Sequence, residues 1–189
     1  MIQTHAVRLF SERGYDATTV SDVAEAAGVS PMTVYRHFPT KEDLVLLDHY
    51  GGLIAGRIAA TPAERPLVRR IGGALVDSAA LLTGDGGGEG SSADRRFLLD
   101  RLRLMISTPA LRARHLDNQY ALQRAIVGAL VDGAADPDTA FRAEAAAGAC
   151  LAALHTALVR WAEDGGRADL PELVAKALAA AFGDPDPRA

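Results

Sequence analysis

Apolar residues recur along most of the chain at intervals of three and four, the spacing of an α-helix, and no segment shows sustained strand alternation. In residues 2–13, Ile2, Ala6, Leu9 and Phe10 fall on one stripe, and Gly14 follows where a helix typically ends. Similar stripes, separated by Pro or Gly, predict further helices at about 64–82, 93–107, 110–132, 138–164 and 170–182. The pattern predicts an all-α chain of about nine helices.

Two short helices with strong start signals lie between residues 19 and 39. Thr19 precedes Val20 as an N-cap, Asp22 completes a loose capping box, and this helix ends before Gly28. Ser30 is the predicted N-cap of the next helix, with Pro31 at its first position and its end near Phe38. Two short helices joined by a tight glycine turn predict a helix-turn-helix. A fourth helix is predicted to start at Thr40.

The second of these helices has a surface suited to DNA. Val34 and Phe38 are expected to pack inward, which leaves six residues facing outward: Pro31, Met32, Thr33, Tyr35, Arg36 and His37. Residues 30–41 contain basic side chains and no acid, so this surface is locally positive. Arg36 is the side chain here that can contact guanine with two hydrogen bonds, and Lys41 is placed for a phosphate.

The overall composition restricts other functions. The net charge is −4, which by itself argues against nucleic acid, but DNA responds to the local field. The single cysteine, Cys150, and five histidines that never recur at a spacing of three or four predict no metal site and no cofactor. No secretory signal is visible, and no run approaches the roughly 20 apolar residues of a membrane span, so a cytoplasmic protein is expected.

The glycine-rich segment 84–92 is predicted to be a flexible loop, and residues 184–189 a disordered tail. We place a helix-turn-helix domain at residues 1–44 and a second helical domain at residues 45–183.

Three stretches carry a close family resemblance: residues 10–20, 24–29 and 34–44. Together they resemble the tetracycline-repressor (TetR) family over nearly all of residues 2–48. The resemblance implies an all-helical homodimer in which the first three helices bind a palindromic operator in double-stranded DNA. It also implies that residues 45–183 are a ligand-binding and dimerisation domain, which binds a small-molecule effector. It places Thr19 and Ser21 at phosphates, the six outward residues on the recognition helix, and Lys41 at a phosphate anchor.

A shorter resemblance covers residues 102–114, which look like the C-terminal domain of the TetR subgroup that includes the mycofactocin-system regulator. Acyl-coenzyme A thioesters are the ligands suggested for that subgroup. Seven residues are candidate walls of a ligand pocket, although each could equally be plain core: Phe97, Arg101, Met105, Tyr120, Cys150, Leu154 and Trp161. The arginines between residues 95 and 114 are either solvated surface or contacts for an anionic head group.

The sequence therefore predicts a repressor that a small molecule, such as an acyl-CoA or another hydrophobic compound, releases from DNA. Two alternatives stay open at this stage. One is a regulator of this fold that acts through protein partners, and the other is a helical enzyme acting on acyl thioesters, although no catalytic constellation is visible.

Overall fold

A computed structural model describes residues 1–46, 50–84, 91–131 and 136–183. All regular structure in these ranges is helical, which confirms the predicted all-α class with nine α-helices. The helices are α1 (Ile2–Arg13), α2 (Val20–Ala26), α3 (Pro31–His37), α4 (Tyr50–Ala59), α5 (Leu67–Thr83), α6 (Ser91–Ser107), α7 (Pro109–Leu130), α8 (Pro137–Glu163) and α9 (Leu170–Phe182).

Helices α1 to α3 form a small bundle around a shared apolar centre. Ala6 and Phe10 of α1, Val23 of α2 and Val34 of α3 are at most 1% exposed. Since α2 and α3 have only seven residues each, burial of these side chains stabilises helices that are too short to persist alone. Gly28 turns the chain between them with φ +67°, a backbone conformation that costs glycine little.

The predicted caps of α2 and α3 are present. The Thr19 side chain accepts a hydrogen bond from the Asp22 amide, and the Asp22 carboxylate accepts one from the Thr19 amide. The Ser30 side chain accepts from the Thr33 amide, with Pro31 at the first helical position. These local bonds fix where each helix begins.

The prediction that α4 starts at Thr40 is wrong. Thr40 instead precedes a 3₁₀ turn, Glu42–Leu44, in which the Asp43 carboxylate accepts from the Thr40 amide at 2.8 Å. The chain enters α4 at Tyr50, after residues that lie outside the described ranges. The Thr40 hydroxyl accepts a hydrogen bond from the Asp43 amide at 3.4 Å, so Thr40 and Asp43 bond to each other across one tight turn rather than at the start of a long helix.

Helices α4 to α9 pack together as a second group beside the three-helix bundle, which we call the head. Helix α8 lies against α5, α7 and α9, while α4 packs on α5 and α7. Helix α1 contacts α6, so the two parts touch directly. Two predicted boundaries shift: α5 begins after Pro66, and α6 already includes Ser91 and Ser92, which were predicted to be loop. Residues 85–90 and the predicted tail 184–189 lie outside the described residues, and the division at residue 44 stays a prediction.

Helix α8 qualifies the expectation that no segment could span a membrane. Its 27 residues are long and apolar enough to do so by length and composition alone. The core helix of a soluble protein meets the same criterion, and Ala147, Leu151 and Trp161 of α8 are buried against neighbouring helices.

Candidate DNA-binding face and ligand cavity

The exposed side of α3 is made of the residues that the sequence predicted. Pro31, Arg36 and His37 are exposed, Met32 is 76% exposed and Tyr35 is 49% exposed. Val34, one residue before Tyr35, is fully buried, so burial of one side of α3 turns the opposite side to solvent. A basic, largely exposed helix face of this kind can enter a major groove.

Three other predicted DNA contacts lie beside this face or within the turns that hold it. Thr33 is half-buried, and its hydroxyl is 3.0 Å from the Ser30 hydroxyl. Thr19 and Ser21 are exposed at the start of α2, where Thr19 also serves as the cap. The DNA-contact roles of all nine predicted residues stay predictions.

Lys41 has a structural role that the sequence did not reveal. Its ammonium donates a hydrogen bond to the Tyr15 carbonyl and lies 4.1 Å from the centre of the Tyr15 ring. The Tyr15 hydroxyl in turn donates to the Glu42 carboxylate at 2.9 Å, and burial together with this carboxylate raises the pKa of Tyr15. Lys41 therefore ties the 3₁₀ turn to the segment that precedes α2, where it half-buries its charge.

The second part of the chain contains a partly open cavity of about 200 Å³. Most of its wall is apolar and comes from α4 to α8, as with Ile54, Leu75 and Leu158. Its polar lining residues in the described part of the chain are Ser78, Arg101, His115, Asn118 and Gln119. An apolar cavity with a few polar groups is the usual form of a small-molecule site.

The seven predicted wall residues divide into two groups. Arg101, Met105 and Leu154 line the cavity. Phe97 lies outside it, with its ring 5.1 Å from the Arg101 guanidinium, and Tyr120 is 66% exposed. Cys150 is buried elsewhere in the core, where burial raises the pKa of its thiol to about 11.

Trp161 also lies outside the cavity, because it closes the turn between α8 and α9. Its indole N–H donates to the Ala168 carbonyl at 2.9 Å, and the ring packs so closely on Gly166 that a Cβ there would lie 3.1 Å away. Arg95 donates to the Gly166 and Ala168 carbonyls and lies near the same ring. These contacts give Arg95 a structural role, while Arg96, Arg103 and Arg112 are exposed.

Sequence reasoning missed the pairing of His115 and His155. They are 40 residues apart, yet the His115 Nε2 atom is 3.3 Å from the His155 Nδ1 atom across α7 and α8. Burial and then the nearby His155 lower the pKa of His115 to about 4. No group of three or more potential metal ligands occurs among the described residues. Only tertiary packing brings the two rings together, so no local spacing could have indicated it.

The cavity also reaches the segment that follows the DNA-binding head. Val45 and Leu46 are part of its wall, and the buried Arg101 side chain donates to the Val45 carbonyl through Nε. On α7, Arg114 forms an ion pair with Asp43 at 3.4 Å. Side chains of α6 and α7, both cavity helices, thus hold Asp43 and Val45, within and just after the 3₁₀ turn.

Comparisons with known proteins agree with this arrangement. Residues 2–47 match the profile described as "Bacterial regulatory proteins, tetR family", and residues 88–182, half of the chain, match "MftR C-terminal domain". The transcriptional regulator TcmR of Streptomyces glaucescens is 32% identical over 113 residues, which cover 59% of this chain and 49% of TcmR. The repressor KstR2 of Rhodococcus jostii is 52% identical over 40 residues, 21% of this chain and 20% of KstR2.

These matched segments span about half of TcmR and a fifth of KstR2. Among solved structures, FadR of Bacillus subtilis, crystallised with stearoyl-CoA, superposes with a TM-score of 0.57 at 20% identity and covers 97% of this chain and 98% of FadR. That similarity concerns the fold. The two profile matches, on the helix-turn-helix and on the helical body, assign this chain to the TetR family of bacterial transcription regulators, with an MftR-like C-terminal domain.

Proposed function

We propose that this chain is a ligand-responsive repressor that binds a palindromic operator through α3. The observation that carries the proposal is the exposed face of α3, on which Tyr35, Arg36 and His37 lie without an acidic neighbour in residues 30–41. Arg36 reads a guanine edge, and hydroxyl groups of Thr33 and Tyr35 bind phosphates or bases. The local positive charge offsets the net charge of −4. Members of this regulator family are not enzymes, so we set aside the acyl-thioester enzyme alternative.

We further propose that two copies assemble through α8 and α9. Ala145, Ala149 and Ala152 form a stripe of small, solvent-exposed side chains on α8. Small residues allow helices of two copies to approach closely around a two-fold axis. In the homodimer, the two α3 helices lie about 34–36 Å apart and enter successive major grooves. We expect the dimer to act in the cytoplasm.

The effector acts by changing the position of the DNA-binding head, helices α1 to α3, relative to the body, helices α4 to α9. The effector fills the cavity that Val45 and Leu46 help to form, so it directly contacts the linker that these two residues form after the 3₁₀ turn. The contacts Arg101–Val45 and Arg114–Asp43 carry the movement of α6 and α7 to this linker. An effector releases DNA only to the extent that it binds the displaced arrangement more tightly.

The apolar wall supports an acyl-CoA or another hydrophobic compound as the effector. Stearoyl-CoA is the ligand of the structurally similar FadR of Bacillus subtilis. The exposed Arg103 and Arg112 are then available to the phosphates of a coenzyme A head group outside the cavity.

Selection of bound fragments from a genomic DNA library tests the DNA-binding proposal and works even though the operator sequence is not known. The expected result is a small set of fragments that share an inverted repeat, with half-site centres about one helical turn apart. Displacement of such a fragment by added acyl thioesters then tests the effector. Recovery of unrelated fragments in proportion to their abundance would instead favour a regulator that acts through protein partners.

A further inference from the structure

The cavity is polar mainly along one helix. His115, Asn118 and Gln119 of α7 all line it, and their spacing of three and four residues places them on one face. The facing walls from α5 and α8 are largely apolar, as with Leu75 and Leu158. A ligand that fills this space therefore needs an apolar body and a polar group directed at α7.

The His115–His155 pair determines what that polar group meets. At 3.3 Å, one imidazole donates a hydrogen bond to the other, which requires one ring nitrogen without a proton. Because burial and the nearby His155 lower the pKa of His115 to about 4, His115 is neutral at pH 7 when the cavity is empty. Either ring can be the donor, depending on the tautomer of each imidazole.

The ionisable groups that contact His115 or line the cavity with it are basic. His155 faces it from α8, and Arg101 lines the same cavity from α6. The described lining residues of α4 and α5 carry no charge, and none of the described lining residues is an acid. Asp43, from the 3₁₀ turn, is held by Arg114 on α7. An acidic ligand group therefore meets two basic side chains and no described carboxylate in the wall.

We propose that the effector is a compact carboxylic acid whose carboxylate binds at His115 and is taken up together with one proton. The proton comes from solvent and converts His115 to its imidazolium form. One ring N–H then donates to His155 and the other to the ligand carboxylate, so each charge has a partner. Arg101 adds positive charge to the same cavity. The inference rests on the proposed function, because it takes this cavity as the effector site.

The cavity volume limits the length of the acid. An engineered cavity of about 150 Å³ accepts benzene, so about 200 Å³ accommodates roughly eight non-hydrogen atoms. Hexanoic acid has this size, and hexanamide is its uncharged counterpart of equal heavy-atom count. A longer acyl chain would extend beyond this space.

Isothermal titration calorimetry of the full chain with hexanoate and with hexanamide tests the proposal. Each ligand is titrated at pH 6.5 in two buffers of different ionisation enthalpy, which reports the protons taken up. We expect uptake of about one proton per chain for hexanoate and none for hexanamide. Above the pKa of the ligand's own carboxyl group and below the raised pKa of His115 in the complex, hexanoate affinity should fall about tenfold for each unit of rising pH, while hexanamide affinity stays constant.

Two variants locate the proton. His115→Gln keeps a polar side chain that cannot ionise, so it should abolish proton uptake and weaken hexanoate about tenfold. His5→Gln makes the same change on α1, away from the cavity, and should leave uptake intact. Circular dichroism checks that both variants are folded, and the wild-type buffer comparison requires no variant at all.

Hexanoate binding without proton uptake, equal affinity for both ligands, or binding of neither would overturn the proposal. Because the assay contains no DNA, each of these results leaves the test of operator binding unaffected.

Discussion

Arg114 on α7 and Asp43 in the 3₁₀ turn form an ion pair with 3.4 Å between Nη2 and Oδ1. Asp43 is almost fully buried, its carboxylate accepts from the Thr40 amide, and its backbone carbonyl accepts from the Gln3 side chain of α1 at 3.2 Å. One residue thus joins α1, the turn after α3 and a cavity helix. His115, the residue after Arg114, lines the cavity. A residue that contacts the DNA-binding head and a residue that lines the ligand cavity are therefore adjacent on α7.

Replacing Arg114 should loosen the head without unfolding it. Arg114→Gln removes the ion pair but leaves the bonds from Asp43 to Thr40 and Gln3, so we expect a loss of stability below about 1 kcal/mol. The operator dissociation constant should rise several-fold, since fewer dimers hold both heads at the required spacing. Fluorescence anisotropy measures this constant, and Arg112→Gln, an exposed arginine on the same helix, is the control. Equal operator affinities of the two variants would refute a positioning role for Arg114.

Removal of the Arg36 side chain should affect DNA binding in both strength and selectivity. Arg36→Ala loses a bidentate contact with guanine, which contributes about 1–3 kcal/mol, so operator affinity should fall roughly tenfold to a hundredfold. The preference for the base that Arg36 contacts should relax at the same time. Competition with single-base operator variants measures both effects. Arg8→Ala, an exposed arginine paired with Glu12 on α1, should behave as wild type.

Variants of Thr19 and Ser21 distinguish the effect of a helix cap from the effect of a surface contact. Thr19→Ala removes the capping box of α2 and should cost about 1 kcal/mol of unfolding free energy. Ser21→Ala changes an exposed side chain and should leave stability within about 0.5 kcal/mol. Both should weaken operator binding if both contact phosphates. Chemical denaturation and anisotropy measure the two properties, and equal stability of the two variants would rule out the cap as a main source of α2 stability.

A charge on the small-residue stripe should prevent dimer formation. Ala149→Glu places a carboxylate on the exposed face of α8, where two copies would each have to bury it. We expect monomers by light scattering and loss of cooperative operator binding. Ala113→Glu, on an exposed position of α7, should remain dimeric. A dimeric Ala149→Glu protein would place the interface elsewhere.

The lowered pKa of His115 makes stability sensitive to acid. The unfolded chain gains a proton below its ordinary pKa of about 6.5, while the folded chain resists that proton until about pH 4. The free energy of unfolding should therefore fall as the pH drops from 6.5 to 4, by about 1–2 kcal/mol after allowance for partial exposure. Urea unfolding at several pH values checks this slope. His115→Gln should flatten it, and an unchanged slope would mean that another group titrates.

Local signals in the sequence were enough to predict most of the fold. Thr19, Ser30 and Pro31 act within their own helical turns, so their caps could be predicted from neighbouring residues. The exposed face of α3 followed for the same reason, because burial of Val34 determines which side of a short helix faces outward. The start of α4 could not be predicted, since the Thr40 and Asp43 bonds that close a 3₁₀ turn here would serve equally well at the start of a long helix.

The cavity was much less accessible to sequence reasoning. The Arg101–Val45 contact spans 56 residues and the His115–His155 contact spans 40, so both depend on how helices pack rather than on local spacing. Cys150 and Trp161 have the apolar character of wall residues, yet they fill the core around α8. Composition identifies residues that can line a cavity, but the helix crossings decide which of them do.

The central claim is that the α3 face binds a specific DNA sequence, and a fluorescence-anisotropy titration tests it most directly. The full chain is titrated against labelled DNA from its own upstream region, with a scrambled duplex as competitor, at two salt concentrations. We predict tight binding that the scrambled duplex does not displace and that weakens steeply with salt, as expected when basic side chains replace counterions on phosphates. Binding no tighter than to the scrambled duplex, at both salt concentrations, would contradict the account for that DNA.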